Sequence, residues 1–156
     1  MSGILASMID GLLIGAVYGL AAMGLSLIWG VMNVINLTHG ATIALGMFGM
    51  YLLFSAFPVN AYILLLPVIV AGLLLGLLIY WTSVHWVLDR PQLASLLSTF
   101  AVNMIIIGIG TAVWSTSPYN VNFTLPGITL GDYTFTGNHM AAATAAVVIA
   151  LALELF

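Results

Sequence analysis

The sequence predicts an all-α protein, a polytopic transmembrane helical bundle of about five spans, and three observations predict it. Only five of the 156 residues carry a formal charge: Asp10, Asp89, Arg90, Asp132 and Glu154. Hydrophobic residues make up 63% of the chain and mean hydropathy is +1.26, where a soluble domain is about a quarter charged. Such a chain cannot cover itself with a water-facing shell, so its surface faces hydrocarbon. Apolar stretches of roughly 20 residues, the helix length that crosses about 30 Å of hydrocarbon, recur five times between polar or proline-bearing breaks.

The same composition removes several classes of function. A net charge of −3 with no lysine leaves no basic patch for nucleic acid. The absence of cysteine excludes a disulfide framework, thiolate metal ligation and a cysteine nucleophile. The amino terminus lacks the cationic start of a cleavable signal, and its apolar stretch is too long for one, so it reads as a retained first span.

The spans are expected at residues 11–30, 37–57, 61–82, 93–115 and 139–156. Aromatic residues suited to headgroup depth mark their ends: Trp29, Tyr51, Tyr62, Tyr80, Trp81, Trp86, Trp114 and Tyr119. The third span, dense in Leu, Ile and Val, inserts unaided; Pro67 inside it removes one backbone hydrogen bond and predicts a kink. The second holds Thr38, His39 and Thr42 in its first turns and leans on its neighbours. The fifth is slightly short, and the chain ends in it without a polar tail, which reads as a truncation. Arg90, the single basic residue, places segment 85–92 in the cytoplasm by the positive-inside rule, with the amino terminus outside and Phe156 inside. Segment 115–138 is then external. Within it, residues 128–130 and 133–135 flank Gly131-Asp132, a hairpin signal.

Gly11, Gly15 and Gly19 recur every four residues and form a helix-packing face in the first span, with Gly40 grouped beside them. Gly72 and Gly76 repeat the spacing in the third. The polar run from Asn33 through Asn36, Thr38 and His39 to Gly40 lies between two apolar spans with almost no loop. Two readings fit it. Asn36 or Thr38 caps the second helix while His39 holds a carbonyl; or the helix is broken within the membrane and these side chains line a hydrated route. On the fourth span Ser95, Thr99 and Asn103 stack at i, i+4 and i+8, with Ser98 beside them, for interhelical pairing or for lining that route. Asp89-Arg90-Pro91 reads as an interfacial turn, and Asp10, Asp132 and Glu154 as solvated charges near span ends. His85 and His139 have no carboxylate at ligand spacing, so no metal site is expected. No serine or aspartate pair is spaced to assemble a nucleophile and base, so no catalytic residue is expected.

The run from Ile9 through Tyr18, Gly24, Gly30 and Asn36 to His39-Gly40 resembles the amino-terminal region of the branched-chain amino acid ABC transporter permeases. Members of that family usually show Asn, an aromatic or apolar residue, a small residue and then His-Gly, which fall here on Asn36, Leu37, Thr38, His39 and Gly40. Leu37 departs from the usual aromatic, and Ala41 stands where an acidic residue often follows. The likeness continues more loosely through Arg90-Pro91 and the serine-rich start of the fourth span.

The resemblance implies one permease domain over residues 1–156, the amino-terminal part of a longer permease whose ATPase-coupling segment would follow Phe156. It implies a multi-pass subunit of the cell inner membrane that imports branched-chain amino acids or similar small polar solutes such as urea or amides. It implies no enzyme activity and no cofactor of its own. The implied partners are a second permease subunit, cytoplasmic ATPase subunits that hydrolyse ATP, an extracytoplasmic solute-binding protein and membrane lipid. The expected substrate-pathway residues are Asn33, Asn36, Thr38, His39, Thr99 and Asn103. The rival expectation is a non-transporting assembly subunit, in which those polar groups are paired and dry.

Overall fold

Backbone groups in a bilayer must bond within the protein, and the computed structural model places most of the chain in helices. It describes residues 2–57, 59–115, 119–130 and 133–155. The helices are α1 (Ser2–Met32), α2 (His39–Ala56), α3 (Ala61–Ile79), α4 (Gln92–Trp114) and α5 (Gly137–Glu154). Among the described residues five segments are long and apolar enough to cross a membrane: Ser7–Met32, His39–Ala56, Ala61–Val87, Gln92–Trp114 and Gly137–Glu154. The protein is a multi-pass membrane protein. The first span starts earlier than expected and the third runs further, to Val87, because a π-turn (Tyr80–Val84) and a 3₁₀ turn (His85–Val87) extend α3. Pro67 lies within α3, which runs unbroken as a helix around it.

Only 0% to 11% of each span's residues are buried inside the chain. Lipid tails are as apolar as leucine, so a membrane helix gains little by hiding its side chains from them. The outward leucines and isoleucines of α1, α3 and α4 are therefore ordinary lipid-facing or subunit-facing surface.

Two compact units are distinguished, Met1–Leu27 with Phe123–Phe156, and Ile28–Asn122. In the first, strand β1 (Ile128–Leu130) pairs antiparallel with β2 (Tyr133–Phe135), Leu130 opposite Tyr133. The strands match those read from the sequence; the Gly131-Asp132 turn lies outside the described residues. At the start of α5, Asn138 accepts from the Leu125 amide at 2.8 Å and donates to the Phe123 carbonyl. Asp10, read from the sequence as a solvated charge near a span end, is about half exposed and meets His139 Nδ1 at 3.0 Å. His139 lies in the first turn of α5. Beside Gly11, Gly15 and Gly19 a Cβ would meet nothing within 4 Å, so that glycine face is open among the described residues.

In the second unit α2 packs against α3 and α4, and α4 packs on the π-turn. At one end of α2 and α4 an aromatic cluster joins them: Phe48 stacks on Trp114 at 5.0 Å between ring centroids, Tyr51 and Tyr119 lie 4.7 Å apart, and the Tyr119 hydroxyl donates to the Trp114 carbonyl. Towards the other end the helical path is interrupted between α1 and α2, and the candidate site lies at this interruption.

Candidate functional site at the helix break

α1 stops because Asn33 adopts φ 52°, the left-handed conformation that Asn tolerates better than other residues with a Cβ. Its amide still bonds to the Trp29 carbonyl at 2.9 Å. Five further residues, 34–38, pass without helical structure before α2 begins at His39. The interruption falls at the polar run, and specific bonds close it. The Asn36 side-chain oxygen accepts the Thr38 amide at 3.0 Å and also the Thr38 hydroxyl. Asn36 thus makes an Asx-type turn in front of the helix, while Thr38, the formal N-cap, makes no side-chain cap bond. The Thr42 hydroxyl donates to the His39 carbonyl at 2.8 Å.

Two backbone groups of the break are held from across the bundle. The Thr99 hydroxyl of α4 donates to the Ile35 carbonyl at 2.8 Å, and its oxygen accepts the Leu37 amide at 3.3 Å. Thr38 and Thr99 are both 0% exposed. Because these groups are buried, the bonds decide whether the break is tolerable: each unsatisfied buried polar group costs about 1–3 kcal/mol.

A cavity of about 260 Å³ opens against this break. Its polar lining comes from Asn36, Thr38, His39 and Thr42 around the start of α2 and from Tyr80 of the π-turn. Ile28, Met32, Val34, Ile79 and Val84 supply the apolar lining. Gly72 and Gly76 of α3 complete it, and a Cβ at either would meet nothing within 4 Å. Their spacing reads in sequence as a packing face; in the structure it is the absence of side chains that leaves room. No residue of the lining carries a permanent charge. A further wall is shaped by the π-turn, where the Ser83 hydroxyl lies 2.6 Å from that of Ser98 on α4.

Of the six residues expected along a solute route, the structure brings Asn36, Thr38 and His39 into one lining. Thr99 stands behind it, holding the backbone. Asn33 is exposed at the end of α1 and outside the lining. Asn103, half-exposed on α4, is also outside it. Gly40 is exposed in the first turn of α2, with open space beside it. Sequence reasoning missed Thr42, Tyr80 and the π-turn. Thr42 was visible as a hydroxyl one helical turn after Thr38. The π-turn was signalled only by Thr82-Ser83, two polar residues in an apolar run. Among the described residues no cluster of three or more His, Cys, Asp or Glu could hold a metal ion.

The family model described as branched-chain amino acid transport system / permease component matches residues 7–156. No curated protein and no solved structure matches the chain.

Proposed function

From the premise that this chain belongs to the permease family of branched-chain amino acid transport systems, we propose that it is a membrane-spanning subunit of an ABC importer. Its cargo would be branched-chain amino acids or similarly small, net-uncharged polar solutes such as urea or amides. The observation that carries this reading is the cavity at the helix break, with neutral hydrogen-bonding groups from Asn36, Thr38, His39, Thr42 and Tyr80 together with aliphatic side chains. Stripping a net-charged solute of water without a counter-charge is costly. A solute without net charge and with an apolar end brings no uncompensated net charge into such a lining, whereas a cation or an anion does.

In the mechanism this supports, a binding protein delivers the solute at the outer face of the inner membrane. Paired permeases then alternate between outward and inward openings, and cytoplasmic ATPases drive the cycle. Asn36 and His39 exchange hydrogen bonds with the passing solute, so that its polar groups are never left dry. Families of this kind are transporters rather than enzymes, and this chain's residues would bind and guide without covalent chemistry.

The rival reading, an assembly subunit that conducts nothing, draws on the full burial of Thr38 and Thr99. The cavity beside them speaks for transport. The test is ATP-driven uptake by the complete transporter reconstituted in vesicles. Asn36→Leu with His39→Leu should lower uptake while the complex still assembles. Unchanged uptake would remove the cavity from the route.

A further inference from the structure

Hydroxyls inside membrane helices ordinarily return to a carbonyl one turn back on their own helix, which satisfies them without help from another element. Ser26, Thr82, Thr111 and Thr144 do this, bonding to the carbonyls of Ala22, Leu78, Ile107 and Met140. The Thr99 hydroxyl on α4 bonds to the Ser95 carbonyl at 3.0 Å in the same way but also reaches out of its helix, and Ser98 beside it bonds out of the helix too. Being adjacent, they point about 100° apart, and each meets a different irregular segment. Thr99 holds the Ile35 carbonyl and the Leu37 amide in the break before α2. Ser98 donates to the Ser83 carbonyl at 3.2 Å and lies 2.6 Å from the Ser83 hydroxyl in the π-turn after α3.

These two segments each supply a wall of the same cavity: Val34, Asn36 and Thr38 from the break, Ile79, Tyr80 and Val84 from the π-turn and the residue before it. Neither Ser98 nor Thr99 lines it. We infer that Ser98 and Thr99 are a pair of positioning residues through which α4 sets the separation of the cavity walls. The physical reason lies in relative stiffness. Residues 33–37 lack a continuous helical ladder and a π-turn has a loosened one, whereas α4 is 23 residues of regular helix. The walls therefore follow the helix. A displacement of α4 moves both anchors at once, which gives an alternating cycle a handle on the cavity from outside it. This inference rests on the proposal that the cavity is a solute route, but its test does not.

The chain has no cysteine, so single reporters can be placed without background. Val34→Cys and Val84→Cys put one thiol in each wall, at positions 3% and 6% exposed. The rate of modification by N-ethylmaleimide is measured on the full chain in membrane vesicles. Thr99→Val, which removes the hydroxyl and leaves two backbone groups unsatisfied, should raise labelling at the Val34 reporter roughly tenfold and leave the Val84 reporter unchanged. Ser98→Ala should do the reverse, and Thr99→Ser should restore the parental rate. Were Thr99→Val not to accumulate in the membrane, Ser98→Ala carries the test through the Val84 reporter. No rise at either reporter, or an equal rise at both in each variant, would overturn the inference. Labelling as expected in an assembly that moves no solute would overturn the transport reading and leave the positioning role standing.

Discussion

The carboxamide oxygen of Asn36 accepts both the backbone amide and the hydroxyl of Thr38, two residues on, and so closes the helix break against the cavity that Asn36 itself lines. One side chain therefore serves structure and lining together. Asn36→Leu should cost about 1–3 kcal/mol, because Thr38 is fully buried and finds no replacement acceptor. Thermal unfolding in detergent would report it as a lowered midpoint, and wild-type stability would show that the turn closes by other means.

Asn33 divides differently between its possible roles. It takes φ 52° and stands outside the cavity lining, so its contribution should be conformational. Asn33→Gly is expected to leave both stability and uptake near the parental level, while Asn33→Val costs about 1–2 kcal/mol through left-handed strain. Loss of uptake in a stable Asn33→Gly protein would return the side chain to the route.

Gly76 offers a way to close the cavity without disturbing the fold. Since a Cβ there meets nothing within 4 Å, Gly76→Leu should project into the open space and change stability by less than about 0.5 kcal/mol. Uptake by the assembled transporter should fall to a small fraction. Normal uptake alongside normal assembly would mean that solute passes elsewhere.

Gly137 is the opposite case. At the first residue of α5 an added Cβ would lie 2.5 Å from the Pro126 carbonyl oxygen and 2.8 Å from the Leu125 Cβ. Gly137→Ala should therefore destabilise by about 1–3 kcal/mol, chiefly around the Asn138 bonds that fasten the segment before α5. Faster proteolysis of that segment in vesicles is the readout; parental protease resistance would contradict the tight contact.

The Asp10 and His139 side chains, 48% and 45% exposed, form a hydrogen-bonded pair of little intrinsic strength. A double-mutant cycle with Asp10→Asn and His139→Gln should give a coupling below about 1 kcal/mol. A larger value would mean that the pair is shielded from water in the assembled complex.

Much of the architecture was legible because a bilayer restricts the choices so severely. Charge scarcity and the recurrence of apolar stretches were enough to locate all five spans, and the polar run ending at His39 was enough to locate the break. The site was legible only in part. Asn36, Thr38 and His39 are close in sequence and so appear together, whereas Tyr80, the π-turn and Thr99 join them from distant stretches that periodicity cannot align. Gly72 and Gly76 show the same limit: glycine spacing reveals a thin helix face and leaves open whether a helix or a void lies against it.

Residue composition and order were enough to show that helices span the membrane, roughly where along the chain they lie, and that one boundary between them is polar. These follow from each segment's own transfer energy and backbone bonding, which are local quantities. Only the tertiary structure decided that Thr99 closes the break from 64 residues away, that Ser98 holds the π-turn wall, and that the space between is a cavity. Those outcomes depend on which helices lie side by side, and in lipid that choice turns on a few hydrogen bonds and close fits.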